Sequence, residues 1–204
     1  MASASKSIFT EFAEYLEEQP VLGRLSDRLE LPLRHLLGHG PASDLLRGRA
    51  LGHALHPVVV QLPIGALTSA MILDLTQGPG AARQSRLLTG LACLAALPAA
   101  ATGLAEWTHA DPRSRRVGVA HLGLNLLGVA GATTSYLLRR RNWTPAAAVW
   151  SGLAMAAVGL SGALGGHLTL VRKYGSHDQP SDGLGASSAA FGSATDPEEH
   201  SPTE

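Results

Sequence analysis

The chain has one cysteine in 204 residues, Cys93. A single thiol excludes an intrachain disulfide and any cysteine-based cluster site, and its place in an apolar run predicts a small packing residue. Carboxylates are nearly as scarce in the centre of the chain. Residues 46–175 hold twelve Lys and Arg but only Asp74, Glu106 and Asp111. No paired carboxylates, serine–histidine motif or glycine-rich phosphate loop stands in a context that gives it meaning, so no catalytic motif marks a hydrolytic enzyme. The basic residues flank apolar runs instead of forming one patch, which argues against nucleic acid as a partner. The first twenty residues also lack the uninterrupted apolar region of a secretory signal, because Glu11, Glu14, Glu17 and Glu18 interrupt it; this segment is expected to stay on the protein.

What is present is apolar length. Formal net charge is zero only because the flanks cancel the centre: the first 45 residues carry four basic and seven acidic side chains, and residues 176–204 carry six acidic and none basic. Apolar spans punctuated by arginine-rich loops predict a polytopic membrane protein. Four spans are read, at about Val58–Thr76, Leu87–Leu104, Val117–Leu138 and Ala146–Leu170. Each is near the roughly 20 residues needed to cross a bilayer. Pro63 and Pro98 are expected to kink the first two. The loop Thr108–Arg116 is read between the second and third, and Trp107, Trp143 and Trp150 suit headgroup level.

The fold expected is all-α: a four-helix transmembrane bundle over residues 46–175, an amphipathic N-terminal helical segment over 1–45, and an acidic tail over 176–204 too poor in apolar residues to fold. In the N-terminal segment Leu22, Leu25, Leu29, Leu33 and Leu36 fall at helical steps, with a kink at Pro32 and a loop at Gly38–Ser43. These short helices lie on the membrane, cover the mouth of the bundle, or dock a partner.

Small residues crowd the spans, since close backbone approach replaces hydrophobic drive between helices in lipid. Gly162 and Gly166 form a GxxxG pair, and His121, Asn125 and Gly128 share one face of span three, expected to point inward. Four spans place both termini on one side and bring His53, His56, Glu106, His109, His121 and His167 to one leaflet. Asp74, Arg83, Arg86 and the triplet Arg139–Arg141 mark the other. Basic residues number seven near the histidine side and five at the other, which leans towards cytoplasmic termini.

Four motifs, LGHALHPVVVQLPIG, GLAEW, RRVGVAHLGLN and LGGHL, resemble in their order the bacterial membrane-protein family catalogued as domain of unknown function 2231, over roughly Leu46–Gly175. The resemblance implies four membrane helices and a place in the bacterial plasma membrane. Some relatives carry a Rieske-type iron–sulfur domain after the helices. Here no such cysteine and histidine pairs follow, so an iron–sulfur partner would be a separate polypeptide. The chain departs from the family's pattern at Ala54, where a proline usually follows the first histidine, and at Gln61, often acidic.

Imidazoles are common ligands of haem iron, zinc and copper. His56, His121 and His167 are the expected cofactor ligands, for haem b or a transition metal. A metal set adds His53 and Glu106, and Asn125 stands behind as a hydrogen-bond partner. The sharper expectation is a redox or metal-binding membrane subunit serving a partner protein. The alternative is a non-catalytic membrane scaffold whose histidines are polar ties between helices. A transporter is disfavoured because no carboxylate relay runs through the bundle. A homo-oligomer is compatible with either. Asp74 is expected to cap its helix or pair with Arg83 or Arg86, and the arginine triplet to anchor orientation.

Overall fold

A computed structural model describes residues 7–142 and 145–171. Trp143, the tail and its histidines lie outside the described residues. Within them the regular structure is all helical. Three helices precede the apolar region: α1 (Ile8–Glu17), α2 (Pro20–Leu37) and α3 (Gly40–Leu46). A 3-10 turn at Arg49–Leu51 leads to α4 (His56–Val59), α5 (Gln61–Gln77), α6 (Ala82–Trp107), α7 (Pro112–Arg141) and α8 (Pro145–Gly166), closed by a π-helical turn at His167–Val171.

Three helical segments are long and apolar enough to cross a membrane: His56–Trp107, Pro112–Arg141 and Pro145–Leu170. The first has 52 residues, which at about 1.5 Å per residue far exceeds a bilayer core of about 30 Å. It doubles back through the 3-10 turn Gly78–Ala81. Gly78 makes that turn with φ +51°, a left-handed conformation that costs other residues a clash at Cβ.

Local chemistry sets the other boundaries. Pro63 has no N–H to give the carbonyl of Val59, and α4 ends at Val59 with α5 beginning at Gln61. Asp111 caps α7 by accepting from the backbone N–H of Arg113 (3.0 Å) and Ser114 (3.2 Å), with Pro112 preset for the first helical position. The third span therefore starts its helix five residues before Val117, inside the expected loop. The expected loop at Gly38–Ser43 is likewise mostly helix, the first residues of α3. α2 runs through Pro32, and buries Gly23 and Ser26 while Leu25 and Leu36 stay exposed. The reason lies across the contact: a Cβ on Gly23 would meet Arg116 Nε at 3.2 Å, so the small residues of α2 accommodate a guanidinium.

α5 to α8 pack as antiparallel neighbours. Ser85 Oγ meets the Ala70 carbonyl at 3.5 Å between α5 and α6, and His56 of α4 meets that of Ala99 on α6 at 2.9 Å. Cys93 Sγ lies 3.7 Å from Thr133 Oγ1 between α6 and α7. Between α7 and α8, Ser135 Oγ donates to the Ala147 carbonyl (2.6 Å), and Gly131 lies against Ala154. A Cβ on Gly131 would come within 3.1 Å of Ala154 Cβ, and one on Gly128 within 2.8 Å of Val158 Cγ2. Among the described residues nothing lies within 4 Å of either added Cβ at Gly162 or Gly166. Close backbone approach thus occurs at Gly128 and Gly131, and the GxxxG pair faces open space.

The interior is built mainly of small side chains, alanines interleaved with serines and threonines. Ser85, Thr89, Thr102, Ser114, Ser135, Ser151 and Ser161 are fully buried, whereas Leu87, Leu94, Leu97, Leu126, Leu127 and Leu153 project outward. A water-soluble domain gains most of its stability by burying leucine. In lipid that gain vanishes, and small residues and hydrogen bonds hold helices together. Trp107 is an exception to the expected aromatic belt: it is buried, donates from Nε1 to the Arg115 carbonyl at 3.0 Å, and packs on Gly118. Trp150 remains partly exposed.

Candidate functional site

His56 opens α4, directly before Pro57, and its ring reaches across to α6. Its Nδ1 lies 2.9 Å from the Ala99 carbonyl and 3.4 Å from Thr102 Oγ1. A carbonyl only accepts, so Nδ1 carries the proton, and the neutral ring keeps a lone pair on Nε2. Among the described residues that nitrogen has no hydrogen-bond partner. His121, in the third turn of α7, is held in the same way by α8. Its Nδ1 donates to the Ser161 carbonyl at 2.8 Å, with Ser161 Oγ equally close and donating to the His121 carbonyl at 3.0 Å. Asn125, one turn on, places Nδ2 3.0 Å from His121 Nε2.

The two rings meet edge to face, with centroids 6.3 Å apart and planes at 82°. Glycines make room for them. A Cβ on Gly103 would lie 2.9 Å from His56 Cε1 and Nδ1, and one on Gly165 would lie 3.2 Å from His121 Cε1. Four elements therefore supply the pair and its surroundings: α4, α6, α7 and α8.

The remaining residues of the expected set stand apart from this pair. His167, in the π-helical turn, is buried and sets Nε2 3.2 Å from Glu17 Oε1 on α1. His53 is exposed and turns Nδ1 towards the carbonyl of its neighbour Ala54, at 3.2 Å. Glu106 lies half-buried in the last turn of α6. His109 is exposed, with Nδ1 2.9 Å from Thr108 Oγ1. Among the described residues no three His, Cys, Asp or Glu side chains are grouped to hold a metal ion. The structure thus joins His56, His121 and Asn125, and it sets His167 beside Glu17.

A second polar cluster lies at the opposite end of the bundle. Arg139 Nη1 donates to Asp74 Oδ1 at 2.8 Å and its Nη2 to Asp74 Oδ2, while Nε reaches Ser135 Oγ at 3.1 Å and Nη2 reaches Ser151 Oγ at 3.2 Å. Ser135 and Ser151 are themselves 2.9 Å apart. This corrects the pairing expected for Asp74. Asp74 pairs with Arg139 and not with Arg83 or Arg86, and the arginine triplet divides, Arg139 turning inward while Arg140 and Arg141 stay exposed. A signal was available. Extending the face of His121, Asn125 and Gly128 by steps of three and four passes through Ala132 and Ser135 and lands on Arg139.

A family model described as a predicted membrane protein (DUF2231) matches residues 52–180. No curated protein and no solved structure matches the chain.

Proposed function

We propose that this chain, which belongs to the DUF2231 family of predicted membrane proteins, crosses the bacterial plasma membrane four times, through α5, α6, α7 and α8. In this reading His56 and His121 bind haem b or a single transition-metal ion near one face, in the service of a redox partner. The alternation of α5 to α8 supports four crossings, since each turns back against its predecessor and presents leucine outward. Both termini then lie on one side. Burial of Arg139 leaves fewer free basic residues at the other end, which favours a cytoplasmic position for the termini.

One observation carries the ligand reading: two imidazoles on separate helices meet edge to face, each with Nδ1 tied to a helix carbonyl. Such a tie fixes the tautomer, orients the ring and raises the basicity of Nε2, as behind metal-bound histidines. The donor set fits a group that takes two imidazoles and does not fit a three- or four-ligand metal site. A haem or redox-active ion held there would supply one-electron chemistry. The protein's part is to hold both rings, with Gly103 and Gly165 leaving them space, and to let the Asn125 amide turn away from His121 Nε2.

The second reading is a scaffold, and the Asn125 contact favours it. With Nδ1 donating to Ser161 and Nε2 accepting from Asn125, His121 is already satisfied as a tie between α7 and α8. Visible absorption and metal analysis of detergent-purified protein, expressed with haem and metals supplied, separate the two. A Soret band or stoichiometric metal lost in His56→Ala/His121→Ala but kept in His167→Ala establishes the paired site. A colourless, metal-free wild-type protein leaves the scaffold.

A further inference from the structure

α1 packs on the flank of the bundle, not above it. Its Ala13 and Leu16 join a buried cluster with Val117, Ala120 and Leu124 of α7 and with Leu164 and Leu168 at the end of the fourth span. Glu17 adds the contact to His167, and its carbonyl accepts from Arg116 Nη1 at 2.8 Å. These contacts fix which side of α1 faces the protein. The opposite side is apolar and uncovered: Ile8 is 75% exposed, Phe9 56%, Phe12 51% and Tyr15 59%. At 100° per residue Ile8, Phe12 and Tyr15 fall within about 60° of one another, with Phe9 and Leu16 on the adjoining flank and Glu11 and Glu14 on the far one.

We propose that α1 is an interfacial helix, lying along the membrane surface with Ile8, Phe12 and Tyr15 inserted among the lipids of the leaflet that carries the histidine pair. The occupant follows from where α1 is attached. Val117–Leu124 and Leu164–Leu168 belong to the ends of the third and fourth spans, so a helix clamped there sits at the level where headgroups meet acyl chains. Aromatic and aliphatic side chains on one face with acids on the other are the make-up of a helix buried some 5–10 Å into that boundary. α1 has no Lys or Arg, so apolar burial drives the association, and anionic lipid contributes nothing to it.

This inference rests on the membrane-crossing reading and is independent of the histidine ligand. The full chain, with Cys93→Ser removing its one thiol, is labelled with a nitroxide at Phe12→Cys, Ile8→Cys, Tyr15→Cys, Glu11→Cys or Leu126→Cys. It is reconstituted into phosphatidylcholine vesicles, with and without phosphatidylglycerol. Power saturation by oxygen against a water-soluble nickel chelate is then compared. The expected result is an oxygen-to-nickel accessibility ratio several-fold higher at positions 8, 12 and 15 than at 11, unchanged by phosphatidylglycerol. Equal nickel accessibility at 12 and 11 overturns the proposal, because the stripe then faces water. Labels at 8, 12 and 15 shielded from both reagents also overturn it, since a protein surface then covers the stripe. Leu126 is the reference for the bundle: a nickel-accessible label there refutes the crossing reading itself, and a lipid-exposed one with a water-exposed α1 refutes only this inference.

Discussion

Arg139 on α7 and Asp74 on α5 form a two-pronged ion pair in which neither side chain is more than 3% exposed. His56, on the short α4 just before α5, faces His121 on the same α7, and both pairs are separated by 65 residues in the chain. That common offset is the register of two parallel helices. One end of the register is closed by imidazoles and the other by opposite charges.

Removing either charge strands the other in a water-poor interior. Asp74→Ala or Arg139→Ala is expected to destabilise the protein by about 3–5 kcal/mol. The double variant Asp74→Leu/Arg139→Leu, which leaves no uncompensated charge, is expected to recover a substantial part. Unfolding of the purified protein in mixed micelles measures all three. A double variant as damaged as the sum of the single variants would show that the pair is not coupled.

Gly118 and Gly162 look alike in sequence and differ in place. A Cβ on Gly118 would come within 2.5 Å of Trp107 Cδ1, whereas one on Gly162 meets nothing. Gly118→Ala should cost about 1–3 kcal/mol through displacement of the indole, and Gly162→Ala should stay within about 0.5 kcal/mol of wild type. Equal thermal stability of the two variants would contradict the packing described.

Asn125→Leu separates the two readings of His121. If His121 serves only as a helix tie, loss of the amide donor costs about 0.6–2 kcal/mol, and no cofactor signal is present to change. If His121 is a ligand, the variant keeps or gains haem or metal, because its Nε2 is released. Spectra and unfolding curves of the same sample give both readouts.

Glu17 holds α1 to the bundle through His167. Glu17→Ala leaves a buried imidazole without its partner, a loss of about 1–3 kcal/mol. The cost should fall on the N-terminal helices: amide hydrogen exchange should rise in α1 while α7 keeps its protection. A uniform rise throughout the chain would mean that α1 and the bundle unfold as one unit.

Much of this architecture is legible in the order of residues. The apolar stretches, the proline and glycine punctuation between them and the motifs of the first and third spans are local properties. They identify an all-helical membrane protein of the right family. The inward face of α7 is equally local, since His121, Asn125, Gly128, Ser135 and Arg139 repeat at helical steps. What a stretch of sequence does not carry is the identity of a neighbour on another helix. Asp74 has arginines nearer in the chain than Arg139, and His167 has other histidines at its end of the bundle, yet Arg139 and Glu17 are the partners. The GxxxG pair satisfies a pattern, yet among the described residues no neighbour comes within 4 Å of a Cβ at either glycine, while Gly128 and Gly131 make the contact. These outcomes depend on helix rotation and register, which are set by all the packed faces together. Apolar length and periodicity therefore determined the class of the protein, and only the tertiary packing decided which polar groups met, because a buried charge or imidazole is satisfied by whatever the fold brings within hydrogen-bonding distance.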